Sequence, residues 1–315
     1  MKYFVTGGSG FIGSNLVDRL LKNGDEVTVY DNFSTGKEEF IEHAKHQKNC
    51  KIITGDVLDT DKLLSSIIGH DFVFHLSANA DVRNGPEHPD KDLKQNTIAT
   101  FNVLEAIRLS NISKIAFSST GSIYGESTEF PTPETAKFPI QTSLYGASKL
   151  ACEGLIQAYC EAYNMQSWIF RFVSILGERY THGHVKDFFS QLKEHPNKLN
   201  VLGDGKQKKS YLYVQDCIDA ILLAIKKSND KINIFNLGHT TTLTVNQSIS
   251  IICNILDVHP HIYYSGGNHG WIGDVPYILL DTTKINSLGW TPKLSLPESI
   301  HKTVNYLEEN EWILK

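Results

Sequence analysis

The N-terminal segment joins an apolar strand to a run of glycines and then to a helix. Residues 2–6 are predicted to form a buried strand, and Gly7, Gly10 and Gly13 follow it in the sequence GGSGFIG. Glycines at this spacing allow a tight turn, a close approach of the backbone to a ligand, and close packing of the next helix on the sheet. Leucine and valine then recur at helical spacing over residues 14–23. This order of elements indicates a parallel sheet with helical connections.

The glycine run also predicts a site for a dinucleotide. The positive end of the helix would face the phosphates of such a ligand. A second strand, predicted over residues 26–30, ends at Asp31, which lies 18 residues after Gly13. A carboxylate at about that spacing hydrogen-bonds the ribose 2′-hydroxyl of NAD and would repel the 2′-phosphate of NADP, so the sequence favours NAD.

Size and composition exclude several classes of protein. The 315 residues, 41% hydrophobic and 21% charged, suffice for one large domain and a smaller one. The net charge of −5 and the lack of a basic run argue against nucleic acid as a partner. No apolar stretch approaches membrane-spanning length, and the residues before the glycines are too few for a signal-peptide core. We therefore expect a cytoplasmic protein without a membrane partner.

Cysteine and histidine content agrees with a reducing compartment. The five cysteines are an odd number, and none forms a Cys-x-x-Cys pair, so they are expected to be small buried residues. The thirteen histidines show no local spacing typical of zinc ligands. We expect them on the surface or in a substrate pocket, and we expect no metal.

Short apolar strands alternate with helices through the first half of the chain, and the pattern becomes mixed after Arg171. The alternation predicts an α/β fold with a Rossmann-type doubly wound parallel sheet, whose strands end at one ligand-binding edge. We predict an NAD-binding domain over residues 1–173, rejoined by 214–238, and a smaller mixed α/β substrate-binding domain over 174–213 and 239–315. The predicted strands cover 2–6, 26–30, 51–54, 71–76, 114–119, 167–171, 209–214 and 233–237. The predicted helices cover 14–23, 37–46, 61–68, 93–109, 143–163, 216–226, 245–256 and 297–309.

Tyr145 and Lys149 stand four residues apart in a predicted helix and therefore share one face. A free tyrosine has a pKa of about 10 and is a poor base at neutral pH. Lowering that pKa by about three requires roughly 4 kcal/mol, which Lys149, a helix N-terminus and the positive nicotinamide would supply jointly. An isolated pair of this kind is typical of an ordinary surface helix. Here the preceding strand ends in hydroxyls up to Thr120, which would bond the same substrate hydroxyl, so the pattern predicts hydride chemistry at an alcohol carbon.

These motifs together resemble the extended short-chain dehydrogenase/reductase family, and within it the NAD-dependent nucleotide-sugar epimerases of the UDP-glucose 4-epimerase type. The resemblance covers nearly the whole chain. The residues that carry it are the three glycines, Asp31 in YDNFSTG, Asp56 in GDV, HLSA at 75–78, Asn96, Ser119-Thr120, Tyr124-Gly125, Tyr145 and Lys149, GDGKQ at 203–207, YVQD at 213–216 and LGWTP at 288–292.

The resemblance implies an epimerase cycle with three catalytic residues, Thr120, Tyr145 and Lys149. Tyr145 as phenolate would take the proton of a sugar hydroxyl at C4 while the hydride passes to NAD. The keto-sugar would then turn over, and the hydride would return to its other face. Asp56 would meet the adenine, and Asn96 would help to position the nicotinamide side. The implied cofactor-binding residues are Gly7, Gly10, Phe11, Ile12, Gly13, Asp31, Asn32, Asp56, Val57, Leu76, Ser77, Ala78, Asn96, Ser118, Tyr145, Lys149 and Phe172.

The substrate side departs from the family's pattern. Most relatives have an asparagine that contacts the sugar diphosphate, and this chain has Ser174 at that position. One phosphate-binding arginine of the family is replaced by Lys209, and a second arginine is replaced by Trp271. Because a lysine offers a point charge rather than a fork, the diphosphate is expected to be bound differently, by Lys209 and His269. A UDP-sugar is favoured, but the base and the sugar stay open. The implied substrate-binding residues are Arg83, Ser122, Ser174, Lys209 and His269.

The sequence leaves two alternative functions open, and the resemblance also implies an assembly state. Family members that dehydrate or decarboxylate sugars carry an acid after the threonine, where this chain has Gly121-Ser122, although Glu126 is nearby. A dehydratase, decarboxylase, dehydrogenase or reductase of the same family is the first alternative, and an NAD-binding protein without catalysis is the second. In relatives, helices matching residues 93–109 and 143–163 form a four-helix dimer interface, so the resemblance implies a homodimer.

Overall fold

The computed structural model describes residues 1–83, 85–138 and 140–314, and it comprises two compact units. The first unit contains Met1–Ile123, Leu144–Arg171 and Ala224–Phe235, and the second contains Tyr124–Ser143, Phe172–Leu223 and the chain from Asn236 onward. Residues 124–143 and 214–223, which the sequence placed with the NAD-binding domain, therefore lie in the second unit. The assignment of the cofactor to one domain and the substrate to the other stays a prediction.

The secondary structure alternates as predicted through the first half of the chain. The strands are β1 (Lys2–Thr6), β2 (Glu26–Asp31), β3 (Cys50–Thr54), β4 (Phe72–His75), β5 (Lys114–Thr120), β6 (Gln166–Phe172), β7 (Ser174–Leu176), β8 (Lys198–Val201), β9 (Lys208–Lys209), β10 (Tyr211–Tyr213), β11 (Ile232–Leu237), β12 (Leu243–Thr244), β13 (His261–Tyr264) and β14 (Tyr277–Ile278). The α-helices are α1 (Phe11–Lys22), α2 (Glu42–Lys45), α3 (Thr60–Ile67), α4 (Pro89–Asp92), α5 (Ala99–Leu109), α6 (Leu144–Tyr163), α7 (His184–Glu194), α8 (Val214–Lys227), α9 (Val245–Leu256), α10 (Thr283–Ser287) and α11 (Leu296–Glu309).

The first unit is built on a seven-stranded sheet with the order β11-β6-β5-β4-β1-β2-β3. β1 pairs in parallel with both β2 and β4, β2 with β3, and β4 with β5. The strand order therefore reverses beside β1, and ligands of doubly wound sheets bind at the carboxyl ends of the strands at such a point. The predicted Rossmann-type α/β fold is confirmed.

A continuous apolar core packs helices of the first unit on this sheet. Leu63 of α3, Val103 of α5 and Ile156 of α6 are fully buried together with Phe4 and Ile115 of the strands. The strands read as near-continuous apolar runs because residues on both of their sides are removed from water. This packing fixes the positions of the strand ends and of the residues that follow them.

Two predicted helices are divided in the structure. The helix predicted over residues 93–109 consists of α4, a π-helical turn over Leu93–Ile98, and α5. The π-helical turn places Asn96 in the interior, where its side chain bonds other polar groups, and such turns often mark functional sites. The helix predicted over 37–46 is a 3₁₀ turn, Glu38–Ile41, followed by the single turn α2.

The second unit is a mixed α/β structure with small sheets. β7 pairs in parallel with β10, β9 lies between β12 and β14, and β8 pairs with β13. The predicted strand 209–214 is interrupted at Ser210, whose hydroxyl donates to the His239 carbonyl at 2.8 Å. Helices α9 and α11 begin with capping boxes, Thr244 with Gln247 and Ser295 with Glu298, and they pack on each other. Within the described ranges, no helix is long and apolar enough to cross a membrane.

Candidate active site

Two glycines of the turn after β1, Gly7 and Gly13, have no room for a side chain. Gly7 adopts a φ of +69°, and a Cβ on it would lie 2.6 Å from the backbone nitrogen of Ser77. A Cβ on Gly13 would lie 2.1 Å from the Gly7 carbonyl oxygen, which accepts a hydrogen bond from the Gly10 N–H at 3.1 Å. Helix α1 starts from Gly10 without a side-chain cap and without an acid in its first turn. Its first N–H groups are therefore directed at the turn, an arrangement suited to a phosphate.

Asp31 holds the end of β2 against the glycine turn. Its carboxylate accepts hydrogen bonds from the backbone N–H groups of Ser9 and Phe33, both at 2.9 Å. The next strand end is tied in the same way, because Asn32 donates to Asp56 at 2.9 Å and Asp56 accepts from the Leu58 N–H at 2.8 Å. Hydrogen bonds thus hold Asp31, Asn32 and Asp56, three of the predicted cofactor-binding residues, at the ends of β2 and β3.

The remaining predicted cofactor residues lie around the same strand ends. Ser77 follows β4 and donates its hydroxyl to Thr6 Oγ1 at 3.0 Å, while the Leu76 N–H donates to the Thr6 carbonyl at 3.1 Å. Ala78, Leu76 and Ser77 are half-buried, as is Ile12, whereas Phe11 and Val57 are buried. Phe172 is buried at the start of a segment of the second unit.

Lys149 is buried at the end of β5. Its side chain is 2% exposed, its Nζ donates to the Ser118 carbonyl at 2.8 Å, and the ammonium lies 4.6 Å from the centre of the Phe117 ring. Burial lowers the pKa of Lys149 to about 8, so the side chain is mainly cationic at neutral pH. Helix α6 thus places a buried positive charge next to the carboxyl end of β5.

Tyr145 lies one turn earlier on α6 and is half-buried. Burial raises its pKa to about 12, and a hydrogen bond with Thr120 acts in the opposite direction. The lowered pKa that the sequence predicts depends in part on the positive nicotinamide, so it stays a prediction. Within the polypeptide, the cost of burying a phenolate exceeds the stabilisation by neighbouring groups. Thr120 Oγ1 also accepts a hydrogen bond from the Ser122 N–H at 3.1 Å, so three predicted site residues lie together.

Asn96 lies close to the same turn of α6. Its amide donates to Ser148 Oγ at 2.9 Å, and its oxygen accepts from the Asn79 N–H at 2.9 Å. Both the nitrogen and the oxygen of the Asn96 amide therefore bond protein groups.

A buried ion pair next to this centre was not predicted from the sequence. Glu153, one turn after Lys149, pairs with Arg171 of β6, and Arg171 Nη2 lies 2.8 Å from Glu153 Oε2. The Glu153 carboxylate also accepts a hydrogen bond from the Ser119 hydroxyl. Both charged side chains are almost fully buried. The signal for Glu153 was its place eight residues after Tyr145 on an apolar helix, since that spacing returns to the same face.

Of the substrate residues predicted in the second unit, His269 lines a pocket of about 430 Å³, and Lys209 bonds a residue that lines it. Lys209 makes an ion pair with the buried Asp274, and its Nζ lies 4.7 Å from the centre of the Trp271 ring. His269 Nε2 lies 2.9 Å from Glu126 Oε1. The residues that line the pocket are Glu126, Thr142, His269, Gly270, Trp271, Ile272, Gly273 and Asp274.

Two other predicted substrate residues are solvent-exposed. Ser174 lies in β7, and Arg83 follows Asp81, with Nε 3.5 Å from its carboxylate. Across the described residues, no group of three or more His, Cys, Asp or Glu side chains is arranged to bind a metal.

The chain matches the family model described as "NAD dependent epimerase/dehydratase family" over residues 3–238. A putative UDP-glucose 4-epimerase of Methanocaldococcus jannaschii is 33% identical over 315 residues, which cover 97% of this chain and 98% of that protein. UDP-glucuronic acid decarboxylase 1 of Arabidopsis thaliana is 30% identical, over 97% of this chain and 69% of that protein. The solved structure of a UDP-glucose 4-epimerase from Thermotoga maritima with UDP-glucose is 34% identical, with a TM-score of 0.89, 99% of this chain and 100% of that chain covered.

These similarities extend over nearly the full length of the chain, and they agree with the glycine turn, Asp31 and the Tyr145–Lys149 pair. The predicted family resemblance, the epimerase class and NAD as cofactor are confirmed. The chain belongs to the NAD dependent epimerase/dehydratase family.

Proposed function

We propose that this protein is an NAD-dependent epimerase that inverts C4 of a UDP-sugar. The observation that carries the proposal is the cluster of Thr120, Tyr145 and Lys149 at the carboxyl end of β5. In the same sheet, β1 ends in the glycine turn. Hydroxyl, phenol and ammonium groups in one place are suited to moving a proton on and off an alcohol.

NAD would be held by the glycine turn, the uncapped start of α1 and Asp31. The fit rests on the positions at Gly7 and Gly13, where a Cβ would meet backbone, and on the start of α1, which has no side-chain cap and no acid in its first turn. When bound, NAD supplies the hydride acceptor and then the hydride donor. Since each cycle returns the hydride, such an epimerase consumes no NAD.

The protein residues handle the proton. Thr120 bonds Tyr145, which removes the proton from the C4 hydroxyl and later returns it. Because burial disfavours the phenolate, a nearby positive charge is required, and Lys149, held by the Ser118 carbonyl, supplies it within the chain. Lys149 carries this charge up to a pH of about 8.

A UDP-sugar is the substrate class that the relatives support, since the M. jannaschii and T. maritima proteins are named UDP-glucose 4-epimerases. Lys209, His269 and Trp271 offer a cation, an imidazole and an aromatic face for such a ligand. The Lys209 charge is shared with Asp274. We therefore expect a weaker hold on a diphosphate than an arginine fork would give.

A decarboxylase is the second candidate, because the A. thaliana relative carries that name. After carbon dioxide leaves, the resulting enolate must gain a proton at carbon from an acid, which decarboxylases of this family carry next to the threonine, and this chain has Gly121 and Ser122 there. The nearest acid in sequence, Glu126, bonds His269 in the second unit. These residues favour epimerisation.

We further propose a homodimer in the cytoplasm. Leu93, Ile98, Phe101 and Leu109 are 41–54% exposed on the π-helical turn and α5, and a surface of this kind is often covered by a second copy. All five cysteines are free thiols, as expected in a reducing compartment. Light scattering that gives the monomer mass of 35.3 kDa would contradict the dimer.

A panel of UDP-, GDP- and dTDP-sugars tests the proposed function. The purified protein with NAD is incubated with each, and the products are separated by chromatography and identified by NMR. Inversion at C4 of a UDP-sugar is expected, with no net NADH. Carbon dioxide release would support the decarboxylase instead, and water loss or accumulation of NADH would indicate a dehydratase or a dehydrogenase. No reaction with any sugar would contradict all of these functions.

A further inference from the structure

A buried carboxylate, Asp92, lies close to the Tyr145–Lys149 pair and has no part in the proton transfer described above. It is 1% exposed, and its Oδ1 accepts hydrogen bonds from the side-chain amides of Asn79 at 2.8 Å and Asn96 at 3.3 Å. Within the described residues its Oδ2 has no hydrogen-bond partner. A buried carboxylate with one unbonded oxygen is costly, so a purely structural role does not explain it.

Hydrogen bonds connect Asp92 to the backbone of Tyr145. Asn96, which donates to Asp92, also donates to Ser148 Oγ at 2.9 Å, and the Ser148 hydroxyl donates to the Tyr145 carbonyl at 2.8 Å. Asn79 bonds both Asp92 and Asn96. The connection runs from α4 through the π-helical turn to the first turn of α6, and all the residues along it are buried or half-buried.

The negative charge of Asp92 acts on the same pair. It raises the pKa of Tyr145, opposing loss of the phenol proton, and it raises the pKa of Lys149, favouring the ammonium. Burial raises the pKa of Asp92 itself. The other groups that act on these three side chains are Thr120, Cys152 and Glu153 around the pair, and Asn79, Lys91 and Asp81 around Asp92.

We propose that Asp92 is a positioning residue of the reaction centre, which orients the first turn of α6 through Asn96 and Ser148 and contributes a negative charge next to Tyr145 and Lys149. The inference deepens the proposed function and rests on it. Geometry and charge are separable here, because Ser148 belongs to the connection and carries no charge.

Two variants separate the two effects. Asp92→Asn keeps an acceptor oxygen for Asn79 and Asn96 but removes the charge, so both limbs of the pH profile of kcat should move to lower pH. Ser148→Ala interrupts the connection and keeps the charge, so kcat should fall about tenfold, with KM and the limbs unchanged. Asp90→Asn is the matched control, since Asp90 is an exposed residue of α4 paired with Lys94 and should behave as the wild type.

A readout without substrate distinguishes this inference from the proposed function. NMR of isotope-labelled lysine, with the Lys149 signal assigned from Lys149→Arg, follows the titration of Lys149 near pH 8. Its midpoint should fall in Asp92→Asn and stay in place in Asp90→Asn. An unchanged midpoint together with an unshifted pH profile, or full kcat in Ser148→Ala, would overturn the inference. A shifted midpoint in a protein that turns over no sugar nucleotide would overturn the proposed function and keep the electrostatic part of the inference.

Discussion

The Lys149 ammonium donates a hydrogen bond to the Ser118 carbonyl at 2.8 Å, which joins helix α6 to the end of strand β5. The lysine is buried and keeps a charge there, although burial lowers its pKa to about 8. The site therefore holds its positive charge at a cost in stability.

Lys149→Met should separate stability from activity. Burial lowers the pKa of Lys149 from the ordinary 10.5 to about 8, so removing the buried charge should stabilise the folded protein by about 3 kcal/mol. The lost hydrogen bond to the Ser118 carbonyl should offset about 1 kcal/mol of this gain. We expect kcat to fall at least about a hundredfold, with a free energy of unfolding at pH 7 no lower than that of the wild type. Since the folded-state pKa is lowered, the wild type gains stability as the pH rises from 8 towards 10.5, and the difference between the proteins should shrink over that range. Urea unfolding at several pH values measures it, and a strongly destabilised variant at pH 7 would refute the account.

Tyr145→Phe should remove proton transfer and little else. We expect turnover to fall at least about a hundredfold, while NAD affinity by calorimetry and the melting temperature stay close to those of the wild type. Tyr163→Phe, an exposed tyrosine at the end of the same helix, serves as the control and should keep full activity. Comparable turnover in both variants would remove Tyr145 from the mechanism.

Glu153→Gln should destabilise the first unit. It leaves Arg171 buried without its counter-charge, which typically costs about 3–5 kcal/mol. The control is Glu161→Gln, which removes an exposed ion pair with Lys231 and should change the free energy of unfolding by less than about 1 kcal/mol. Equal denaturation midpoints for the two variants in urea would show that the buried pair contributes nothing.

Two glycine-to-alanine changes in helices should act in opposite directions. A Cβ on Gly13 would lie 2.1 Å from the Gly7 carbonyl, so Gly13→Ala should lower both the melting temperature and the affinity for NAD. At Gly154 of α6 nothing lies within 4 Å of an added Cβ, and Gly154→Ala should stabilise by about 0.5–1 kcal/mol. Calorimetric titration with NAD and thermal unfolding check both, and NAD binding by Gly13→Ala at wild-type strength would contradict the assigned role of the glycine turn.

The elements that the sequence predicts well are those in which local pattern and tertiary burial agree. The strands ending at Thr6, Asp31 and Thr120 are short apolar runs, and the structure buries them as such. The glycine turn was predictable because its backbone approaches so closely that no other residue fits. Helix α7 is not among the predicted helices, although Val185, Phe188, Phe189 and Leu192 recur at helical spacing and are buried, because glycines on both sides of it are typical of loops.

Other features depend on contacts between distant residues. The π-helical turn at Leu93–Ile98 carries Asn96, whose hydrogen bonds reach Ser148 and Asn79, far away in the sequence. The raised pKa of Tyr145 follows from burial, which a motif does not reveal. The spacing of Tyr145 and Lys149 therefore predicts which groups react, whereas the direction of their pKa shifts follows only from the folded structure.

The most direct test of the account follows the hydrogen on the inverted carbon. The protein is incubated with UDP-glucose and NAD in ordinary water, the sugar carrying deuterium at C4, and the product is analysed by mass spectrometry and NMR. Transfer to NAD and back predicts UDP-galactose that keeps its deuterium at C4. Loss of the label to solvent would mean that a proton, not a hydride, leaves the carbon, and would contradict the account.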